Sequence, residues 1–257
     1  MSHEMSDQPP DPSSVDAVLD TLLAHRSIRR FRPDPVPEAD LHRALDAGQQ
    51  AATSSNVQAY CAIRIADPER LEQLVALTGG QRKVAECPLF LAICGDTRRH
   101  RLVAARAGRP HVSNLEAFML ATIDASLFAQ NMVVAFEAMG YGTCYIGGLR
   151  NDLPGVHELL ATPEGVWPLF GLCVGRPDQE PSRRPRLARP AVLFEESYPD
   201  DATMMADIDA YDEVMRAWYA ENGIRTPDWS ARIESHFEER HRTRNSEWYR
   251  SAGASFE

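Results

Sequence analysis

Apolar residues along this chain follow two alternating patterns, one with helical spacing and one of short strand-like runs. Val15, Val18, Leu19, Leu22 and Leu23 obey the i, i+3, i+4, i+7 rule, which predicts a helix over 15–24 with one buried face. Pro33, Pro35 and Pro37 then push the chain into extended or turn geometry. Pro37-Glu38 opens a second helix with Leu41, Ala44, Leu45 and Gly48 on one face. Cys61 to Ala66 alternates as a strand, Pro68 to Leu77 reads as a helix closed by Gly79-Gly80, and Pro88 to Cys94 is continuous enough for a buried strand. The basic stretch Arg98 to His111 predicts no element. Asn114 caps the strongest helical segment, Leu115 to Met139, which is apolar on nearly every face. Such a helix belongs in a large core or an oligomer interface.

Gly140 and Gly142 end that helix. Thr143 to Ile146 reads as a strand running into Gly147-Gly148-Leu149-Arg150-Asn151, Val156 to Leu160 as a short helix, and Pro168 to Val174 as another buried strand. The short apolar piece Ala191 to Phe194, flanked by prolines, predicts an added strand on an existing sheet edge, in its own subunit or a partner's. Helical patterns follow over 202–221 and 229–240. The alternation predicts the α+β class: one domain over 14–240 around a mixed central sheet flanked by helices. Residues 1–13, rich in Pro, Ser and acid, predict a disordered extension, and 241–257 a loose tail.

Composition narrows the function. A net charge of -10 argues against general nucleic-acid binding. The polar start carries no secretory signal, and no apolar run is read as a membrane span, so the chain reads as cytoplasmic. Five cysteines without a C-x-x-C pair, each in an apolar run, suit buried free thiols in a reducing compartment. The histidines have no metal-ligand spacing, which predicts no structural metal.

The concentrated chemistry is His25-Arg26-Ser27-Ile28-Arg29-Arg30-Phe31, directly after the first helix. Arg26 and Arg29 leave one anchor and can converge on a single anion, for which the planar guanidinium fork is suited. The plain alternative is a charged helix terminus that complements the dipole. A second arginine cluster is Arg183-Arg184-Pro185-Arg186. Between them, Ala51 to Asn56 gathers small, hydroxyl and amide side chains that could meet a ligand closely or form an ordinary loop.

Taken in order, His25-Arg26-Ser27-Ile28-Arg29, Ser54-Ser55-x-x-Gln58, Gly79-Gly80-Gln81, Tyr145-Ile146-Gly147-Gly148-Leu149-Arg150 and Arg184-Pro185-Arg186 resemble the FMN-dependent nitroreductase and flavin reductase family. The resemblance is closest to the major oxygen-insensitive NADPH nitroreductases of bacteria and covers roughly 15–235. It implies a nitroreductase-like fold and an intertwined homodimer with two FMN sites at the interface. The long apolar helix agrees, since a second copy would absorb its outward face. The segment around 187–198 is similar to the family's arm that reaches across the partner.

The resemblance also implies roles. His25, Arg26, Ser27 and Arg29 would bind the FMN phosphate and pyrimidine edge, and Gln81 the ribityl chain or ring. Tyr145, Ile146, Gly147, Gly148 and Leu149 would run beneath one flavin face, where glycine permits close approach and backbone N–H groups donate. Arg184 and Arg186 would approach the phosphate and flavin edge. Ser54, Ser55 and Gln58 would come from the other subunit. The flavin carries the chemistry and no protein nucleophile is needed. NAD(P)H would deliver hydride to FMN, and a nitroaromatic, quinone or flavin acceptor would then take the electrons, in ping-pong order. The alternatives are a reductase that supplies reduced FMN to a partner monooxygenase and a flavin-binding protein without turnover.

One departure concerns the donor. NADPH-preferring relatives carry an arginine after the paired aromatics of the penultimate helix, whereas here the run is Trp218-Tyr219-Ala220-Glu221-Asn222-Gly223. Arg225 is the candidate substitute for the nucleotide phosphate; without it, Glu221 would favour NADH.

Overall fold

The two continuous apolar runs become the middle of a sheet. The computed structural model describes residues 12–238 and 241–256. Along them lie α1 (Pro12–Leu23), α2 (Glu38–Gln49), β1 (Tyr60–Ile65), α3 (Pro68–Leu77), α4 (Lys83–Glu86), β2 (Leu89–Asp96), α5 (Arg98–Arg106), α6 (Leu115–Ala138) and β3 (Gly142–Ile146). Then follow α7 (Leu153–Leu160), β4 (Val166–Gly175), α8 (Asp201–Glu221), α9 (Trp229–Glu238) and α10 (Asn245–Ser251). Contacts divide the chain into two compact units, one running to Glu180 and resuming at Arg244, the other spanning Pro181–Thr243.

In the first unit the strand order is β1-β2-β4-β3, and every neighbouring pair is antiparallel. The parallel part of the expected mixed sheet is reduced to one bridge, Ser27 to Thr143. Every residue of β2 is buried, as a strand covered on both faces must be. Leu89, Leu91 and Ile93 face α2 and α6, whereas Phe90 and Ala92 face the helices that carry Leu74, Val84 and Val156. Period-2 alternation thus builds two apolar layers from one uninterrupted run.

Proline decides the register of β4. Ile93 pairs with Phe170 but Cys94 pairs with Pro168, so Leu169 is the extra residue of a bulge. Proline has no N–H to give the ladder, and a bulge is where a strand tolerates it. The Leu169 carbonyl accepts from Arg150 Nη1 at 2.5 Å, and the Pro168 carbonyl from Tyr249 Oη at 3.0 Å.

Several expectations need correction. The basic stretch after β2 is helical as α5, started by Asp96 Oδ1, which accepts from Arg98 N at 2.9 Å. None of its residues is buried, so it has no apolar face for periodicity to detect. Helix α1 begins at Pro12, inside the segment expected to be disordered; residues 1–11 of that segment lie outside the described ones. Its apolar stripe Val18, Leu19, Leu22 and Leu23 is exposed rather than buried in this chain. Ala191 to Phe194 forms no strand: a 3-10 turn covers Arg189–Ala191, and Val192 and Leu193 are exposed. Helix α9 is described to Glu238, and residues 239–240 of its expected span lie outside the described ones. By length and composition α6 could cross a membrane, contrary to the reading of the sequence. Here it packs Ala121, Ala125, Phe128, Met132 and Phe136 into the core.

The supposedly loose tail is anchored. Tyr249, Ala252 and Ala254 are buried with Trp167 and Ala121, and Trp167 Nε1 donates to the Ala252 carbonyl at 2.9 Å. Phe118 meets Trp167, Tyr249 and Phe256 at centroid distances of 5.2, 5.1 and 5.3 Å. Aromatic anchors, spaced too widely to read as a periodic face, hold the segment.

In the second unit α8 and α9 enclose a small cluster of Tyr211, Met215 and Tyr219 with Leu187, Trp218, Ile224 and Trp229. Asp200 caps α8 by accepting from Thr203 N at 2.8 Å, and Asp212 Oδ1 accepts from Ser230 N at 2.9 Å at the start of α9.

Because Tyr249 fills a buried aromatic site, Tyr249→Ala should lower the unfolding free energy by about 3 kcal/mol or more. Urea denaturation measures this; a loose tail would leave the midpoint unchanged.

Candidate functional site

Strand β3 lies at one end of the strand order, and the arginine turn takes its open side. Ile28 N donates to the Thr143 carbonyl at 2.8 Å, and the Ile28 side chain is buried. This pins Ser27 beside Thr143 while Arg29 stays exposed. Glu137, near the end of α6, holds the same junction from below. Its Oε1 lies 2.8 Å from His25 Nδ1 and accepts from Thr143 Oγ1 at 2.8 Å. Arg26 Nη2 reaches Glu180 at 3.1 Å, but that carboxylate is largely exposed and the pair is worth little.

Gln81 arrives from the opposite side. The α3 helix ends in Gly79 and Gly80, whose φ values of 79° and 78° lie in the left-handed region and reverse the chain. Gln81 Nε2 donates to the Thr78 carbonyl at 2.9 Å, and its Oε1 accepts from Lys83 Nζ at 2.7 Å. Both ends of the amide are therefore held. Gly148 lies directly against it: a Cβ there would come within 2.0 Å of Gln81 Nε2 and 2.7 Å of the Thr78 carbonyl. Gln81 and the Gly147-Gly148 turn are one structure.

Between these groups the chain offers backbone more than side chains. Ile146 and Leu149 are fully buried in the core, so their contribution to any ligand is their main chain. Tyr145 alternates outward, 37% exposed, with its ring 5.2 Å from Phe170 and its Oη donating to Gln130 Oε1 at 3.3 Å. Burial, with the Glu137 carboxylate adding to it, holds its phenol well above the ordinary range, so the hydroxyl is neutral. Burial likewise raises the Cys144 thiol; Arg29 and Lys83 oppose that rise. Cys144 is thus a protonated thiol at neutral pH with two cations nearby, and it is no nucleophile.

Lys83 was missed by sequence reasoning. The signal was available, because it is the only lysine in a chain otherwise supplied with arginine. Ser27 beside Thr143, Arg29 and Lys83 near Cys144, and Gln81 against Gly148 set hydroxyl, guanidinium, ammonium and amide donors along β3 and the glycine turn that follows it, while Arg26 is turned to Glu180. This chemistry fits a phosphorylated planar cofactor such as FMN.

Within the first unit, three expected residues lie elsewhere. Ser54, Ser55 and Gln58 precede β1, which stands three strand spacings from β3, roughly 14 Å across the sheet. In one chain they do not join the others. Their loop is strained, with Ser55, Asn56 and Gln58 at φ of 48°, 56° and 50°. Asn tolerates that region, whereas Ser and Gln each cost on the order of 1 kcal/mol or more. In the second unit Arg184 stacks over the Trp218 ring at 5.3 Å, and Arg186 Nη1 donates to the Arg184 carbonyl at 3.2 Å. Arg225 is exposed just beyond the end of α8, as is Glu221 at its last turn.

An antiparallel sheet between helical layers, with cations and a main-chain shelf at one edge, defines a class of protein that holds a flat anionic cofactor. Comparison with known proteins identifies which. The nitroreductase family model matches residues 22–176, and that of the family's C-terminal domain matches 184–257, so the chain belongs to the nitroreductase family. It is 39% identical over 244 residues to the FMN reductase (NADPH) of Bacillus subtilis, covering 91% of this chain and 97% of that protein. It is 38% identical over 218 residues to the oxygen-insensitive NADPH nitroreductase of Salmonella typhimurium, covering 84% and 88%. A solved nitroreductase from B. subtilis superposes with a TM-score of 0.89 at 38% identity, covering 92% of this chain and 98% of that one. The NADPH:FMN oxidoreductase of Vibrio harveyi, solved with NAD+, gives 0.85 at 33% identity, covering 93% and 99%.

Gly148→Ala tests the shelf. The Thr78 carbonyl is backbone and cannot yield cheaply, so the variant should displace Gln81 and weaken FMN binding about tenfold, near 1.4 kcal/mol. Flavin fluorescence titration measures it; unaltered affinity would detach the shelf from the ligand.

Proposed function

We propose that the chain is an FMN-dependent oxidoreductase that moves electrons from NAD(P)H to small oxidised acceptors in two successive half-reactions. The observation that supports the reading is the placement of Ser27 beside Thr143, of Arg29 and Lys83 near Cys144 and of Gln81 against Gly148. Bound FMN supplies the hydride-accepting ring that no side chain here can replace. Arg26, Ser27, Arg29 and His25 hold the phosphate and pyrimidine edge, where fixed positive charge stabilises negative charge developed on the ring. Gln81, clamped between Thr78 and Lys83, presents a fixed amide. Tyr145, Gly147 and Gly148 with the backbone of Ile146 and Leu149 would support the ring when FMN is bound. Arg184 and Arg186 are further cofactor ligands in this reading, and Arg225 is the candidate for the nucleotide phosphate.

The acceptors are nitroaromatics, quinones or free flavin. The relatives named FMN reductase favour free flavin among them, and with it the supply of reduced FMN to a partner enzyme. The relatives' NADPH dependence supports that donor, although Glu221 stands where a phosphate-binding arginine would help. All five cysteines are free, which supports a reducing, cytoplasmic setting, and the net charge of -10 fits no nucleic-acid role.

A homodimer completes the site in this reading. Leu115, Met119, Ile123 and Leu127 repeat every fourth residue as an exposed apolar stripe on α6, and Val18, Leu19, Leu22 and Leu23 do so on α1. Such a stripe calls for a partner. The second copy would bring its Ser54–Gln58 loop over the flavin, which accounts for that loop's distance from the other residues in one chain.

The purified protein should be yellow and bleach anaerobically with NADPH, its colour returning when a quinone is added. Comparing kcat/KM for NADPH and NADH decides the donor; equal values would refute an NADPH preference. Arg29→Ala should weaken FMN binding about tenfold or more, as loss of a charged hydrogen-bond donor does. Since Lys83 is the only lysine, amine-directed labelling followed by mass spectrometry should find it protected by FMN, and unprotected labelling would place it outside the site.

A further inference from the structure

We infer that Asp124 is the positioning residue that holds the Ser54–Gln58 loop in its ligand-contacting shape, an inference resting on that loop's assignment to the FMN site. Asp124 lies midway along the most apolar helix, α6, and is only 1% exposed. Ala121 and Phe128, one turn away on either side, and the adjoining Ala125 are core residues. Among the described residues no cation pairs with it. A carboxylate buried in such surroundings is costly unless its lone pairs are used, and its partners are the two flanks of the loop. Asp124 Oδ2 accepts from Thr53 Oγ1 at 2.6 Å on one side and from Ala59 N at 3.0 Å on the other. Thr53 Oγ1 in turn accepts from Gln58 N at 2.9 Å. One oxygen therefore closes a ring from Thr53 through Gln58 to Ala59.

What lies inside that ring has little else to fix it. The Ser54–Asn56 turn is closed by Val57 N donating to the Ser54 carbonyl at 3.0 Å, and Gln58 Nε2 donates to Asn56 Oδ1 at 3.2 Å. Outside contacts are made at its end, where His100 Nε2 lies 2.7 Å from the Val57 carbonyl. Three residues with φ between 48° and 56°, none of them glycine, would relax to ordinary backbone if the flanks were free. Ser55 and Gln58 would then leave the positions in which they can meet a ligand. The bond to Asp124 is what ties a loop at the β1 edge to the helix that carries the exposed α6 stripe.

The test uses the full-length protein with four variants: Thr53→Val, Asp124→Asn, Asp124→Ala and the double variant Ser55→Ala with Gln58→Ala. Thr53→Val removes the relay hydroxyl while leaving Asp124 bonded to Ala59. In the ligand-free protein, hydrogen exchange over 54–59 should speed up about tenfold, and FMN affinity should fall about tenfold, as the loss of one well-made hydrogen bond allows. The urea midpoint should hardly move. Asp124→Asn keeps one oxygen that can accept both bonds and should stay close to the parent, whereas Asp124→Ala should match or exceed Thr53→Val. If Asp124→Ala fails to fold, Thr53→Val and Asp124→Asn carry the test. The double variant should weaken FMN binding without changing exchange at Ala59. Parent-like exchange and affinity in Thr53→Val would overturn the inference while leaving the loop's assignment intact. So would an affinity loss matched by a fall in whole-molecule stability. Unchanged affinity in the double variant would overturn it by removing the assignment itself.

Discussion

The geometry of the site depends on a strand end being used twice. Strand β3 pairs with β4 on one side, and on the other its first residues receive the main chain of Ser27 and Ile28. Those hydrogen bonds satisfy the open edge that a sheet otherwise presents. They also place the arginine turn, with its serine and histidine, alongside the start of β3. A helix terminus left in solvent would have carried the same residues with no target. Glu137 reinforces the junction by accepting from Thr143 Oγ1 and bonding His25 Nδ1.

A second constraint comes from the bulge in β4. Proline in a central strand forces an extra residue into the ladder, and the carbonyls there need new donors. Arg150, at the end of the shelf, and Tyr249, near the end of the chain, supply them. The same irregularity thus holds the end of the Gly147–Arg150 turn and seats the C-terminal helix against Trp167. Function and stability share these bonds, so changes at Pro168 or Leu169 would be felt in both.

The two ends of the strand order divide the work. The β3 side holds the fixed cations and the main-chain floor; the β1 side holds a strained loop clasped to α6. In one chain three strand spacings separate them. The exposed apolar stripes of α1 and α6 and the displaced loop are accounted for together by a second copy, so assembly and site completion are one requirement in this reading.

How much of this was legible depended on how local the cause was. Helices α2, α3, α6 and α8 and all four strands were readable because burial imprints a period on the residues themselves, and the ordered segments from His25 to Arg186 carried the family. Helix α5 was not readable, since it buries nothing and is started by Asp96 from the preceding strand. The anchored tail was hidden because its aromatics meet Trp167 and Phe118, which are distant in sequence. Lys83 was visible as the only lysine, but its bond to Gln81 was not. Nothing in the sequence pattern singles out Asp124, and only the fold reveals that it joins Thr53 to Ala59. The sequence by itself determined the helices and strands that bury an apolar face and which residue types could hold a phosphate and a flat ring. Tertiary structure alone decided which of them meet, because hydrogen bonds between residues far apart in the chain leave no periodicity behind.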